Sequence, residues 1–394
     1  MIPAELELLL APLERFEGVR RRAARLGDRL IDLSFANPSA GERPGVRAAL
    51  RETLDDVRAL DLQYTPTGGS VLSRRAAADA LASSHALPFA VRDVTLTPGA
   101  TAALQLALRT AGRRGGEVLI PAPCWLDHPL YARAVGLEPR LVPARSDDLS
   151  LDLDALRAAA SARTCAVLLS VPGNPTGRRC DPRTLSALGA ALGEIERTHG
   201  TEVTLIADET HRDYEAAPYA SACAHHARTL VVYSFGKYHL LQGQRLGYAA
   251  VSPRHPRRDD AGRELVRWAR IAGVAAPTAL MQRALPRLLA LRHDLSQLSA
   301  ARALTVDGLR AVGCEPVTPD ATLFVYARVP DGWPGDEAFA AALARRGVLV
   351  LPAALFHHAG FVRLAMTEPA DRLERALERI GDVAAHPEVL DAVR

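Results

Sequence analysis

Short apolar runs alternate with amphipathic stretches through the middle of the chain. Seven runs read as strands: residues 94–97, 117–120, 139–142, 166–171, 203–207, 229–234 and 247–251. Between most of them, at 102–111, 125–135, 153–160 and 182–197, apolar residues recur at helical spacing. This alternation predicts a largely parallel sheet with helices on both faces. Upstream, residues 4–26 form a predicted helix with Leu8, Leu9, Leu13 and Phe16 on one side; 30–35 is extended, 63–70 is a Gly-, Pro- and Thr-rich loop, and 73–84 is helical. Beyond Pro256 the pattern changes to long helices at 257–273, 277–289 and 293–311. An extended stretch over 314–329 and short alternating elements at 337–345, 348–351, 361–367 and 371–380 follow. The reading is α/β, with one large sheet domain and a smaller α/β domain packed closely against it.

Composition narrows the classes. Of 394 residues, 48% are hydrophobic and 24% charged, the mix of a globular chain and not of a disordered one. No apolar run is long enough to span a bilayer, so no membrane partner is expected. The apolar run 8–13 follows Glu5 and Glu7 and reads as a packed helix, not a secretory leader. The net charge is +3, and the densest basic run, Arg20 to Arg22, reads as a solvated helix face, so no nucleic-acid partner is expected. Five cysteines, with no CxxC and no metal-ligand spacing, favour a reducing compartment, the cytoplasm, and no metal.

One count changes the picture. Of the 48 basic residues only one, Lys237, is a lysine. In a chain this rich in arginine, a lysine that persists needs chemistry that a guanidinium lacks: an amine that can be deprotonated and can form a Schiff base. Lys237 follows the apolar run 230–233, at the carboxyl end of a strand, where open α/β sheets place ligands. Ser234 and Arg245 flank it and suit a phosphate. Three further motifs also follow strands. Asp208 ends the run 203–207, either as a helix cap or as a carboxylate facing a protonated ring nitrogen. Asn174 lies in Asn174-Pro175-Thr176-Gly177, an ordinary turn or an amide donor to a phenolate oxygen. Thr97-Pro98-Gly99-Ala100-Thr101 runs from a strand into a helix whose N-terminus suits an anion.

Taken together and in this order, the motifs resemble the class I/II aminotransferases of fold type I, which depend on pyridoxal 5′-phosphate. The resemblance runs from about Asp32 to Ile380. It implies a large cofactor-binding domain over 46–285, an N-terminal arm with part of the small domain over 1–45, and a C-terminal small domain over 286–394. By resemblance Lys237 carries the cofactor, Asp208 pairs with its ring nitrogen and Asn174 bonds its ring oxygen. Gly99, Ala100, Thr101, Ser234 and Arg245 hold the phosphate. Trp125 stacks on the ring, with His128 behind Asp208. Tyr64 reaches the phosphate of a neighbouring subunit, which implies a homodimer. Arg363 clamps the substrate carboxylate, and Ala36 and Asn37 fall where the N-terminal segment closes over the substrate.

Four positions depart from the family pattern. His211 stands where a tyrosine usually bonds the ring oxygen; its charge is expected to change near neutral pH. Gly236, Gln242 and Ala36 replace the usual serine, proline and glycine. The expected activity is transfer of the amino group of an L-amino acid to a 2-oxo acid. The alternative is the same frame with another outcome, such as elimination or replacement, cyclisation, decarboxylating deamination or oxidation. A ligand-sensing regulator is disfavoured, because about 30 residues before the resemblance are too few for a DNA-binding module.

Overall fold

The structure, a computed structural model, describes residues 2–37, 43–215 and 219–387. Seven strands build the central sheet: β1 Val94–Thr97, β2 Glu117–Ala122, β3 Glu138–Pro143, β4 Thr164–Ser170, β5 Thr204–Asp208, β6 Thr229–Ser234 and β7 Gly247–Val251. Their spatial order is β1-β7-β6-β5-β4-β2-β3. All neighbours are parallel except β7, which runs antiparallel to both β1 and β6. Alternate side chains feed opposite cores: Ile120, Leu168 and Ile206 pack under the helix Ala100–Ala111, whereas Leu119, Val167 and Leu205 pack under the helix Pro182–His199. Burial on both faces is why these strands read as continuous apolar runs.

The register brings chemistry-bearing residues to one edge. Ser170 sits opposite Asp208, and Thr97, Gly247 and Ser234 form one row across β1, β7 and β6. Gly247 is required there. A Cβ at this position would run into the Tyr233 carbonyl and the backbone of Gly99.

The C-terminal half forms a second, four-stranded antiparallel sheet, in the order Leu351–Pro352, Phe361–Ala365, Phe324–Arg328, Glu315–Val317. Its core of Val325, Leu309, Phe339, Leu343 and Ile380 also takes in Ile31 and Leu33. Ile31–Asp32 pairs in parallel with Val348–Leu349, which ties the N-terminal segment to this half.

Some elements differ from the sequence reading. The stretch 314–329 is not continuous. Residues 318–323 leave the sheet to reach the Asn-Pro-Thr-Gly turn, where Ala321 N donates to the Gly177 carbonyl at 2.9 Å and Arg179 N to Asp320 Oδ1 at 2.7 Å. The helix expected from 125 begins at His128, because Trp125, Leu126 and Asp127 form the loop that enters it. The run 30–35 is a strand only over Ile31–Asp32, with Leu33 still bonded to Leu349 and Ala365, and the helix Val46–Asp56 was not anticipated. Among the described residues no helix is long and apolar enough to cross a membrane.

Candidate active site

A cavity of about 300 Å³ opens at the carboxyl ends of β1, β5 and β6 and is closed by residues from the N-terminal segment and the small sheet. Lys237 enters it from the short helix Phe235–Tyr238, which Ser234 caps by accepting from Gly236 N at 3.3 Å. Gly236 leaves room for the loop that folds back over it. A Cβ there would lie 3.0 Å from Gln242 Cα, which accounts for the absence of the serine expected at this position. Asp208 faces the cavity from the end of β5. Its Oδ1 accepts from Thr210 N at 3.1 Å and Thr210 Oγ1 at 2.6 Å, and its Oδ2 lies 3.5 Å from Nε2 of the buried His128. Arg363 comes from the small sheet and is fully buried. Its Nη1 donates to Asn174 Oδ1 at 2.9 Å and its Nη2 to the Ser34 carbonyl at 2.6 Å, with the guanidinium 4.0 Å from the Phe324 ring centre.

Three titrations set the electrostatics. Burial, with the cations Arg363 and Arg245 adding to it, pulls the Lys237 amine down to about 8. Burial pushes Asp208 up, but its bond and attraction to His128 and its bond to Thr210 outweigh that and hold it below the usual carboxylate range. Burial and the Lys237 cation drive His211 down to about 3, so the ring is neutral throughout the physiological range. This corrects the expectation that His211 switches charge near neutral pH: a buried imidazole beside two cations does not take a proton there.

The phosphate end is built by close approach. Gly99 has φ +83°, and a Cβ on it would lie 2.7 Å from Arg245 Nη2, so only glycine lets the guanidinium sit against the start of the helix Ala100–Ala111. Arg245 Nη1 is braced on the Gln242 carbonyl at 2.9 Å.

The family model described as "Aminotransferase class I and II" matches residues 29–380. The chain belongs to the class I and II aminotransferases. It is 28% identical over 362 residues to a valine–pyruvate aminotransferase of Mycobacterium tuberculosis, covering 89% of this chain and 90% of that one. It is 26% identical over 366 residues to a probable aspartate/prephenate aminotransferase of Thermus aquaticus, covering 90% and 91%. Its fold matches an amino transferase of Eubacterium rectale with a TM-score of 0.89 at 24% identity, over 98% of this chain and 99% of that one. It also matches an aspartate aminotransferase of Thermus thermophilus with a TM-score of 0.83 at 24% identity, over 93% and 96%.

Class I and II aminotransferases use pyridoxal 5′-phosphate, and the residues present fit it. The cavity offers an amine of lowered basicity for an aldehyde, an ionised carboxylate for a protonated ring nitrogen, and a serine, an arginine and a helix N-terminus for a phosphate. Buried polar atoms without a partner, Nδ1 of His211 and Nε of Arg363, belong to side chains that line the same cavity. Of the residues singled out in this aminotransferase sequence, Asn37, Ala100, Thr101, Trp125, Asn174, Asp208, His211, Ser234, Lys237, Arg245 and Arg363 all line the cavity. Gly99 lies just outside it against Arg245, and His128 just outside it against Asp208. Tyr64 does not line it and is fully exposed on the surface. Around the cavity, Phe356 packs on Arg363, while His357 bonds the Leu126 carbonyl and His358 the Tyr326 hydroxyl. Thr210, Phe35, Leu104 and Phe324 were missed as lining residues. Thr210 was recoverable, since a hydroxyl two residues after an aspartate commonly bonds it. Phe324 carried no local signal.

Proposed function

We propose that the enzyme transfers the amino group of an L-amino acid to a 2-oxo acid, with Lys237 as its catalytic amine. The observation that carries this reading is the chain's only lysine, set in one cavity with Asp208 and Arg363. When bound, pyridoxal phosphate supplies an aldehyde to take up the amine and a ring to draw electrons from the α-carbon. Lys237 would hold the cofactor. Once the substrate amine has displaced it, its Nζ would take and return the proton at the α-carbon, a task suited to an amine lowered to about 8. Asp208 would keep the ring nitrogen protonated, braced by Thr210 and His128. Neutral His211 and the Asn174 amide would bond the ring oxygen. Ser234, Arg245, Gly99, Ala100 and Thr101 would hold the phosphate, and Trp125 would cover the ring. Arg363, Asn174 and Asn37 would receive the substrate carboxylate.

The reading extends to assembly. Tyr64 is exposed together with Leu54, Leu60, Leu62, Val71 and Leu72, an apolar surface that suits a second copy of the chain. A homodimer in which Tyr64 reaches the partner's phosphate site would cover it. The division into 1–45, 46–285 and 286–394 belongs to the same proposal, as does a cytoplasmic location, supported by five unpaired thiols.

Half-reaction spectra test the chemistry. An amino acid should bleach the visible band of the yellow enzyme, and a 2-oxo acid should restore it. Turnover that ignores the 2-oxo acid would favour elimination or another outcome on the same frame. Lys237→Ala should abolish the visible band and cut turnover by about 10³-fold or more.

A further inference from the structure

The cavity that holds Lys237 has a neighbour. A second cavity of about 290 Å³ lies beside it; part of its wall is apolar, with Leu298, Leu323 and Met366, and part is polar, with Arg43, Gln297 and Glu368. Lys237, Asp208 and Arg363 do not line it. Among the described residues, Ala36 and Gln242 alone line both cavities. One hydrogen bond joins these two: Gln242 Nε2 donates to the Ala36 carbonyl at 2.9 Å. Ala36 is buried, and its segment is tied a second time where Arg363 holds the Ser34 carbonyl. A proline in place of Gln242 would have no amide to make the first tie.

This position matters for the substrate. In the proposed reading Arg363 takes the carboxylate and Lys237 works at the amine-bearing carbon. The substrate side chain must therefore lie against whatever wall remains. Asp208, His211 and Trp125 serve the ring, and Ser234, Arg245 and the helix N-terminus serve the phosphate. Phe35, Ala36, Leu104, Gln242 and Phe324 are the wall left over, and of these only Ala36 and Gln242 have the second cavity behind them.

We propose that the Ala36–Gln242 contact is a partition that sets substrate size: it restricts the enzyme to amino acids with short side chains and seals off a partly apolar side-chain subsite that longer ones would fill. The proposal rests on the aminotransferase reading and deepens it. In the wild-type holoenzyme, kcat/KM for alanine should exceed that for norleucine by about tenfold or more. Gln242→Ala should raise the norleucine-to-alanine ratio by at least about fivefold. The dissociation constants of the unreactive carboxylates hexanoate and propanoate, measured by calorimetry, should shift in the same direction by a similar factor. Adding Met366→Trp, or Leu298→Trp should the first variant not fold, fills the second cavity and should return both ratios to wild-type values. The partition is overturned if wild type takes norleucine as readily as alanine, if either ratio moves by less than that factor in Gln242→Ala, or if the plug does not reverse the gain. These outcomes are separate from failure of the underlying reading, which would appear as a wild-type enzyme whose visible band no amino acid bleaches.

Discussion

At the scale of single residues, Lys237 can be measured almost in isolation. In the cofactor-free protein, reductive ¹³C-methylation labels this ε-amine and the N-terminus only, since no other lysine exists. Its titration should centre near 8, rise when Arg363 is replaced by Leu and fall when Asp208 is replaced by Asn, because the first removes a repelling cation and the second an attracting anion. The linkage has a defined sign. The folded amine titrates near 8 and the unfolded one near its ordinary 10.5, so between these values the unfolded chain holds more protons and stability rises with pH. Lys237→Met should remove that rise from denaturant melts of the cofactor-free protein. His211 gives a contrasting expectation. With its ring neutral down to about 3, the pH profile of turnover should carry no limb from it near 6.5, and a limb there that vanishes in His211→Asn would contradict the assignment. The reacting groups were legible from the sequence because each has a chemistry its neighbours lack: one lysine among arginines, one aspartate ending an apolar run. Ser34 and Phe324 were not, because a backbone carbonyl and a core phenyl become part of a site only through tertiary contact.

At the scale of elements, the site is a row of strand ends held in register by tight backbone contact. The β7 strand is the antiparallel joint of that arrangement, buried between β1 and β6, and it delivers Arg245 from its leading turn. Gly247→Ala should force apart β1 and β6 and cost about 1–3 kcal/mol in denaturant melts. Gly99→Ala should displace Arg245 and weaken cofactor retention, read as loss of the visible band on dialysis, with a smaller effect on unfolding. Strands β1, β6 and β7 were legible to the residue, because Thr97 and Ser234 end the first two runs and Gly247 starts the third. The ends of β2 and β3 were not, because these strands continue through Pro121 and Pro139, which punctuate a sequence even where the backbone stays extended. The helix Val46–Asp56 escaped notice because only Val46, Ala49 and Thr53 are buried, a stripe too narrow to stand out.

At the scale of the whole molecule, the proposed dimer makes Tyr64 a residue of the partner's site. The prediction is complementation. Lys237→Ala lacks the amine but keeps Tyr64, and Tyr64→Ala the reverse. Mixing the two, with exchange of subunits, should rebuild one intact site in each hybrid and recover about a quarter of wild-type turnover from two weak parents. Recovery of nothing, from a mixture that sedimentation shows to be dimeric and exchanged, would remove Tyr64 from the site.

Arg363 has a practical consequence. Its guanidinium is buried and held by two neutral oxygens, and no carboxylate among the described residues pairs with it. Burial drags it down to about 9, a measure of how poorly its charge is compensated. A cation left in that condition draws in any small organic anion that fits. Acetate or formate in the assay medium should occupy the hole meant for substrate and raise the apparent KM in proportion to its concentration, so that the choice of buffer salt becomes part of the measured affinity.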